Sequence, residues 1–178
     1  MKKLVIIGAN DFQNQLILKA KSLGYETHVF AWEEGAVGKS TADYFYPISI
    51  VEKEEILDKC KQIKPDGVCS IASDLASITV NYVAENLGLP CNKMKYSAIQ
   101  TNKYKMREAF MAAGLPCPKF VLADENFDES QVKDFKFPII VKPTDRSGSR
   151  NIMKLESTDG LLKAIKEACE TSFEKKAI

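Results

Sequence analysis

Lys142 closes an apolar, β-branched run, Ile139-Ile140-Val141, and a loop of Thr, Asp, Arg, Ser and Gly (TDRSGSRN) follows at once. Such a run reads as a buried strand. A lysine held at the end of a buried strand is an ammonium in a fixed place, a good partner for a phosphate oxygen. Gly148 is free to adopt positive φ, so successive backbone N–H groups can turn inward as an anion-binding nest, helped by the hydroxyls of Ser147 and Ser149. Arg146 and Arg150 add positive charge. An ordinary solvated hairpin loop would carry much the same residues, since one glycine is a weak signal. A second lysine, Lys103, opens the stretch NKYKMREAFMAAGLPCPKF, residues 102–120. Met106, Phe110 and Ala113 there recur at i, i+4 and i+7, with a stop at Gly114 before Pro116 and Pro118, which predicts a helix.

The elements that must position these residues follow in chain order. Leu4 to Ile7 predict a first strand, GAND turns the chain, and a helix follows with Phe12, Leu16, Ala20 and Leu23 on its apolar face. Gly24 ends that helix, and YETHVF predicts the next strand. The resulting βαβ unit has the look of a nucleotide fold. A dinucleotide turn needs GxGxxG, however, and GANDFQ places Asn10 where the second Gly should be, which argues against NAD. A third strand is predicted around Tyr44 to Ile48. Glu52 to Ile63 follows as a helix, with Ile56, Leu57, Cys60 and Ile63 at helical spacing.

DGVCSIAS then reads as a buried strand ending at Ser73 and Asp74, ahead of a helix that runs to about Leu87 and turns Leu75, Ile78 and Tyr82 inward. Ser73 and Asp74 thus stand at the carboxyl end of a strand, the edge where open parallel sheets bind ligands. Asp74 also suits an N-cap. LPCN, Leu89 to Asn92, is the last strand or exit of this domain, and Met94 to Thr101 a short connecting helix. From Pro118 on the pattern changes to three short strands, KFVLA, FPIIVK and NIMKLE, with a helix around Glu129 to Asp134. A final helix covers about Asp159 to Glu170, with Leu161, Leu162, Ile165 and Cys169 as its apolar face. His28, Trp32 and the run Tyr44-Phe45-Tyr46 read as structural.

Lys and Arg number 25 against 24 Asp and Glu, a net charge of +1. That balance points to neither a nucleic-acid nor a membrane partner. The five cysteines are scattered without CxxC spacing, which fits reduced thiols in a cytoplasm. The opening MKKLVIIGA breaks at Gly8, too early for a secretory signal.

Taken together, Lys103 opening a helix and Lys142 on a strand before DRSGSRN resemble the ATP-grasp superfamily, of the carbamoyl-phosphate-synthase-like, carboxylate–amine ligase type. The resemblance implies an α/β fold: a Rossmann-like pre-ATP-grasp domain over residues 1–92, a helical connector over 93–117 and a partial small α+β lobe over 118–178. It implies that Lys103, Lys142, Arg146, Ser147, Gly148 and Ser149 bind ATP and that Ser73 and Asp74 face a small-molecule substrate. A homodimer is compatible with it. Asn102 stands where an Asp often precedes the lysine, and Asn151 where a further loop glycine is common, which would stiffen the loop. In this family a strand beginning like KKAI runs on into a Glu-bearing hinge that recognises adenine, and a larger C-terminal lobe holds Mg²⁺. The 178 residues therefore correspond to the front half of such an enzyme, with no metal ligands and no catalytic residue of their own.

Overall fold

The computed structural model describes all 178 residues, which form two compact units, Met1–Ser97 and Ala98–Ile178. In the first unit, β1 (Lys3–Ile7), β2 (Glu26–Phe30), β3 (Tyr44–Tyr46) and β4 (Gly67–Cys69) form one parallel sheet in the order β3-β2-β1-β4. Val5 lies opposite His28 on one side and Val68 on the other. The strand order reverses between β1 and β4, so their carboxyl ends make the crevice of a nucleotide-type fold.

Helices α1 (Asp11–Ser22), α2 (Lys53–Ile63) and α3 (Asp74–Asn86) connect and cover these strands. The α2 face is the predicted one: Ile56, Leu57, Cys60 and Ile63 are all buried, packed with Val5, Ile7 and Phe30. The α1 face is not. Gln13, Ile17 and Ala20 are buried, while Phe12 and Leu23 are more than 60% exposed, at 64% and 62%. The helix is turned by one residue because Gln13 is needed inside: its Oε1 accepts from the Asn10 N–H and its Nε2 donates to the Ile71 carbonyl. In α3, Ala76, Thr79, Val83 and Ala84 are buried and Leu75 is exposed, against expectation, whereas Ile78 and Tyr82 are half-buried. Trp32 and Tyr44 are likewise exposed rather than packed inside. His28 is buried, hydrogen-bonded to Tyr46 Oη at 3.0 Å and Glu26 Oε1 at 2.8 Å and stacked on Tyr44. Residues 89–92 form no strand.

A 3₁₀ turn, Met94–Tyr96, leads into α4 (Ser97–Thr101). The second unit holds α5 (Lys103–Ala112), β5 (Ile139–Val141), β6 (Met153–Leu155) and α6 (Leu161–Thr171). Antiparallel β5 and β6 pair Ile139 with Leu155 and Val141 with Met153. KFVLA is not a strand in its own right; only Ala123 is bridged, to Ala177. The terminal segment supplies that partner, since Ala177 also bridges Pro143 on its other side. The helix expected around Glu129 to Asp134 is a single 3₁₀ turn, Glu129–Val132. On α6 the buried face is Leu161, Ala164, Ile165, Ala168 and Cys169, and Leu162 points outward, half exposed. This face packs on Ala123, Val132, Val141 and Ala177, the core of the unit.

Candidate functional site

The site is built within the second unit. Lys142 directly follows β5, and its backbone is held on both polar groups by Ile178: the Lys142 N–H donates to the Ile178 carbonyl at 3.0 Å and the Lys142 carbonyl accepts from the Ile178 N–H at 2.9 Å. Two residues on, Thr144 is fully buried, with its N–H on the Lys176 carbonyl at 3.1 Å. The strand end that carries Lys142 is thus clamped before the loop begins. Burial lowers the Lys142 pKa from the usual lysine value, and the nearby Arg107 guanidinium lowers it further. Neither residue forms an ion pair with a carboxylate.

Lys103 is brought to the same loop. Asn102 caps α5, its Oδ1 accepting from the N–H groups of Tyr104 at 3.0 Å and Lys105 at 3.1 Å, which satisfies donors that a helix start leaves unpaired. The Lys103 N–H donates to the Thr144 carbonyl at 2.8 Å, and its Nζ to the Arg146 carbonyl at 2.5 Å. Buried Asn102 also donates through Nδ2 to Glu174 Oε2 at 2.8 Å. Asp145 accepts from the N–H groups of Phe173 at 3.1 Å and Glu174 at 2.8 Å. The start of α5, the loop after Lys142 and the segment after α6 are therefore one hydrogen-bonded assembly.

The loop tip is exposed, with Gly148 at φ 71°, Ser149 at φ 54° and Asn151 at φ 47°. The N–H groups of Ser147, Gly148 and Ser149 donate to no backbone carbonyl, which leaves them able to meet an anion. Asn151 ties the far end of the loop to α6, its Nδ2 donating to the Glu167 carbonyl at 3.0 Å and to Thr171 Oγ1. The Arg146 guanidinium lies 4.2 Å over the Phe173 ring, so its side chain is engaged within the unit while its carbonyl holds Lys103. Sequence reading missed Arg107, although its place one turn after Lys103 on α5 puts both on one helix face. It also missed Asp145 and Glu174, whose partners are far away in sequence.

Ser73 and Asp74 belong to the first unit. Ser73, not Asp74, is the N-cap of α3, accepting from Ala76 N–H at 3.2 Å; Asp74 is the first helical residue and is exposed. The cap falls one residue earlier because Ser73 has the extended backbone a cap requires, at φ −147°. At the first strand–helix turn, Asn10 accepts from the N–H of Phe12 at 2.9 Å and of Gln13 at 3.4 Å. Its side chain takes donors that a dinucleotide pyrophosphate would otherwise use.

No group of three or more His, Cys, Asp or Glu residues is placed to hold a metal ion.

No protein-family profile matches the chain. It is 26% identical over 175 residues to a formate-dependent phosphoribosylglycinamide formyltransferase of Prochlorococcus marinus, covering 96% of this chain and 44% of that protein. Over 94 residues it is 35% identical to D-alanine–D-alanine ligase B of Chromobacterium violaceum, covering 51% of this chain and 31% of the ligase. Among solved structures, N5-carboxyaminoimidazole synthetase from Staphylococcus aureus complexed with ADP superposes with a TM-score of 0.79 at 16% identity, covering 96% of this chain and 45% of that one. The chain spans less than half the length of the full-length matches it covers. In sequence and in fold the chain is similar to the N-terminal part of these enzymes, whose architecture is that of the ATP-grasp superfamily.

Proposed function

We propose that this chain is the phosphate-binding N-terminal portion of an ATP-dependent ligase, one that activates a carboxylate as an acylphosphate for attack by an amine or similar nucleophile. The observation that carries the reading is the tie between Lys103 and the loop that leaves Lys142, through the Thr144 and Arg146 carbonyls. In this reading Lys103 and Lys142 neutralise phosphate oxygens. The N–H groups of Ser147, Gly148 and Ser149 close over the remaining phosphate, and the Arg146 backbone sets the position of Lys103. Catalysis of this type is mostly positioning and charge neutralisation, so these residues bind and orient rather than react. Ser73 and Asp74 face the small-molecule substrate. Recognition of adenine and of Mg²⁺ falls to residues other than these, and the scaffold, connector and small lobe divide at residues 1–92, 93–117 and 118–178.

Titration of the purified chain with ATP, followed by amide chemical shifts, tests this. Weak saturable binding is expected, with shifts at Ser147, Gly148 and Ser149, and a loss of about tenfold or more in affinity on Lys142→Ala, in line with removal of a charged hydrogen bond of about 1.5–3 kcal/mol. Shifts confined to residues outside 98–178, or affinity unchanged in both Lys103→Ala and Lys142→Ala, would remove the reading.

A further inference from the structure

Asn102 is buried at the start of α5 and uses both ends of its amide. Its Oδ1 accepts from the Tyr104 and Lys105 N–H groups, while its Nδ2 donates to Glu174 Oε2 at 2.8 Å. Aspartate would serve the first purpose as well, since Asp and Asn cap helices about equally. It would fail the second, because a carboxylate has no N–H to give. Glu174 lies 72 positions away in sequence and is exposed, yet its backbone is fixed. Its N–H and that of Phe173 are both held by the Asp145 carboxylate, at 2.8 and 3.1 Å. Two residues on, the Lys176 carbonyl takes the Thr144 N–H at 3.1 Å, and the Lys176 N–H donates to the Oγ of buried Ser172 at 3.2 Å. The Lys103 N–H donates in turn to the Thr144 carbonyl at 2.8 Å. The start of α5, the loop after β5 and residues 172–176 are therefore each bonded to the other two, and the Asn102–Glu174 bond joins the first to the third.

We propose that Glu174 is a positioning residue for Lys103, acting through Asn102. Its carboxylate demands a hydrogen-bond donor at position 102. The bond between them sets where the first turn of α5, and with it the Lys103 ammonium, stands against the loop that leaves Lys142. That Lys103 so placed meets a phosphate rests on the function proposed above. A single negative charge suits this place, because the N-terminus of a helix favours it. A second carboxylate within hydrogen-bond distance of the first does not, because like charges at that range repel. Residue 102 is thus Asn because residue 174 is Glu. The same logic accepts a pair in which donor and acceptor trade places, Asp at 102 with Gln at 174, and rejects Asp with Glu.

The test compares the intact chain with Asn102→Asp, Glu174→Gln and the double variant. One readout is exchange of the Lys103 amide hydrogen without nucleotide, and the other is affinity for ATP by titration. Lys103 exchange is expected to speed up by about tenfold or more in Asn102→Asp, to stay within about threefold in Glu174→Gln, and to return to that range in the double variant. Affinity follows the same order, falling about fivefold or more in Asn102→Asp and recovering in the double variant. Should Asn102→Asp not fold, Glu174→Ala changes only an exposed side chain and is expected to speed Lys103 exchange by about threefold or more. Unchanged exchange in Asn102→Asp, or in Glu174→Ala where that variant stands in, overturns the proposal. Equal losses in Asn102→Asp and the double variant overturn it too, since the pair then does not matter. So does an ATP affinity that falls with Lys142→Ala and ignores Asn102→Asp. Exchange in the expected order, with an affinity indifferent to Lys142→Ala as well, supports the positioning of Lys103 and removes the proposed function instead.

Discussion

Individual side chains divide into those that bind the unit together and those left facing solvent for chemistry. Asp43 is of the first kind. It accepts from the Thr27 N–H and Oγ1, each at 2.8 Å, and pairs with Lys21 Nζ at 2.7 Å. The Lys21 bond is the main cause that holds its carboxyl down at about 2, with the Thr27 bonds helping against a desolvation cost. A depressed carboxyl stabilises the fold above its unfolded value of 3.8, and that contribution fades as pH falls through about 2. Asp43→Asn is expected to cost about 1–2 kcal/mol at neutral pH, allowing for partial exposure to solvent, and to flatten the loss of stability between those two pH values. Urea unfolding at several pH values reads both. The cysteines make a second case. Burial pushes the thiol of Cys60 up to about 12 and that of Cys69 up to about 11. Since the thiolate is the nucleophile, iodoacetamide at about pH 8 should leave both unmodified in the native chain and alkylate both in denaturant, as mass spectrometry of the peptides shows. Rapid native labelling of Cys60 would contradict its burial.

At the scale of elements, what decides a helix is which face the core accepts. The α2 face was legible from spacing alone because its apolar residues form one stripe with charged residues elsewhere. In α1 and α6 there are more apolar residues than the core can take. Phe12 on α1, Leu23 just past its end and Leu162 on α6 remain outside, and nothing in a helical period says which of two neighbouring apolar residues will be left over. The consequence is a measurable contrast. Ile56→Ala, at a position with no exposure, should cost about 2–5 kcal/mol, whereas Leu162→Ala, half exposed, should stay within about 0.5 kcal/mol or slightly above. Thermal or urea unfolding of the two variants gives the comparison; equal costs would mean that α6 is turned differently. The strands show the same limit. KFVLA has strand composition, but its one bridged residue depends on Ala177, more than fifty residues later in sequence.

For the molecule as a whole, the two units divide the work: a four-stranded parallel sheet in one, and the lysine-bearing strand, helix and loop in the other. No helix is long and apolar enough to cross a membrane. On the proposed reading, in which the chain is the phosphate-binding portion of a longer ligase, the 178 residues by themselves are expected to bind ATP weakly and to show no measurable ATP turnover. A phosphate-release assay checks this, and turnover abolished by Lys142→Ala would contradict it. The sequence by itself determined the alternation of strands and helices from β1 to α3, the parallel character of that sheet, and the placement of Lys103 at a helix start and Lys142 at a strand end. Those are local properties, set by periodicity, β-branching and capping. Tertiary structure alone decided that Asn102, Asp145 and Glu174 tie the loop to the segment after α6, that Arg107 acts on Lys142, and that the terminal residues pair on both sides. Each of these is a contact between groups distant in the chain, whose partners are chosen by how the core packs and by which backbone groups remain unpaired once it has.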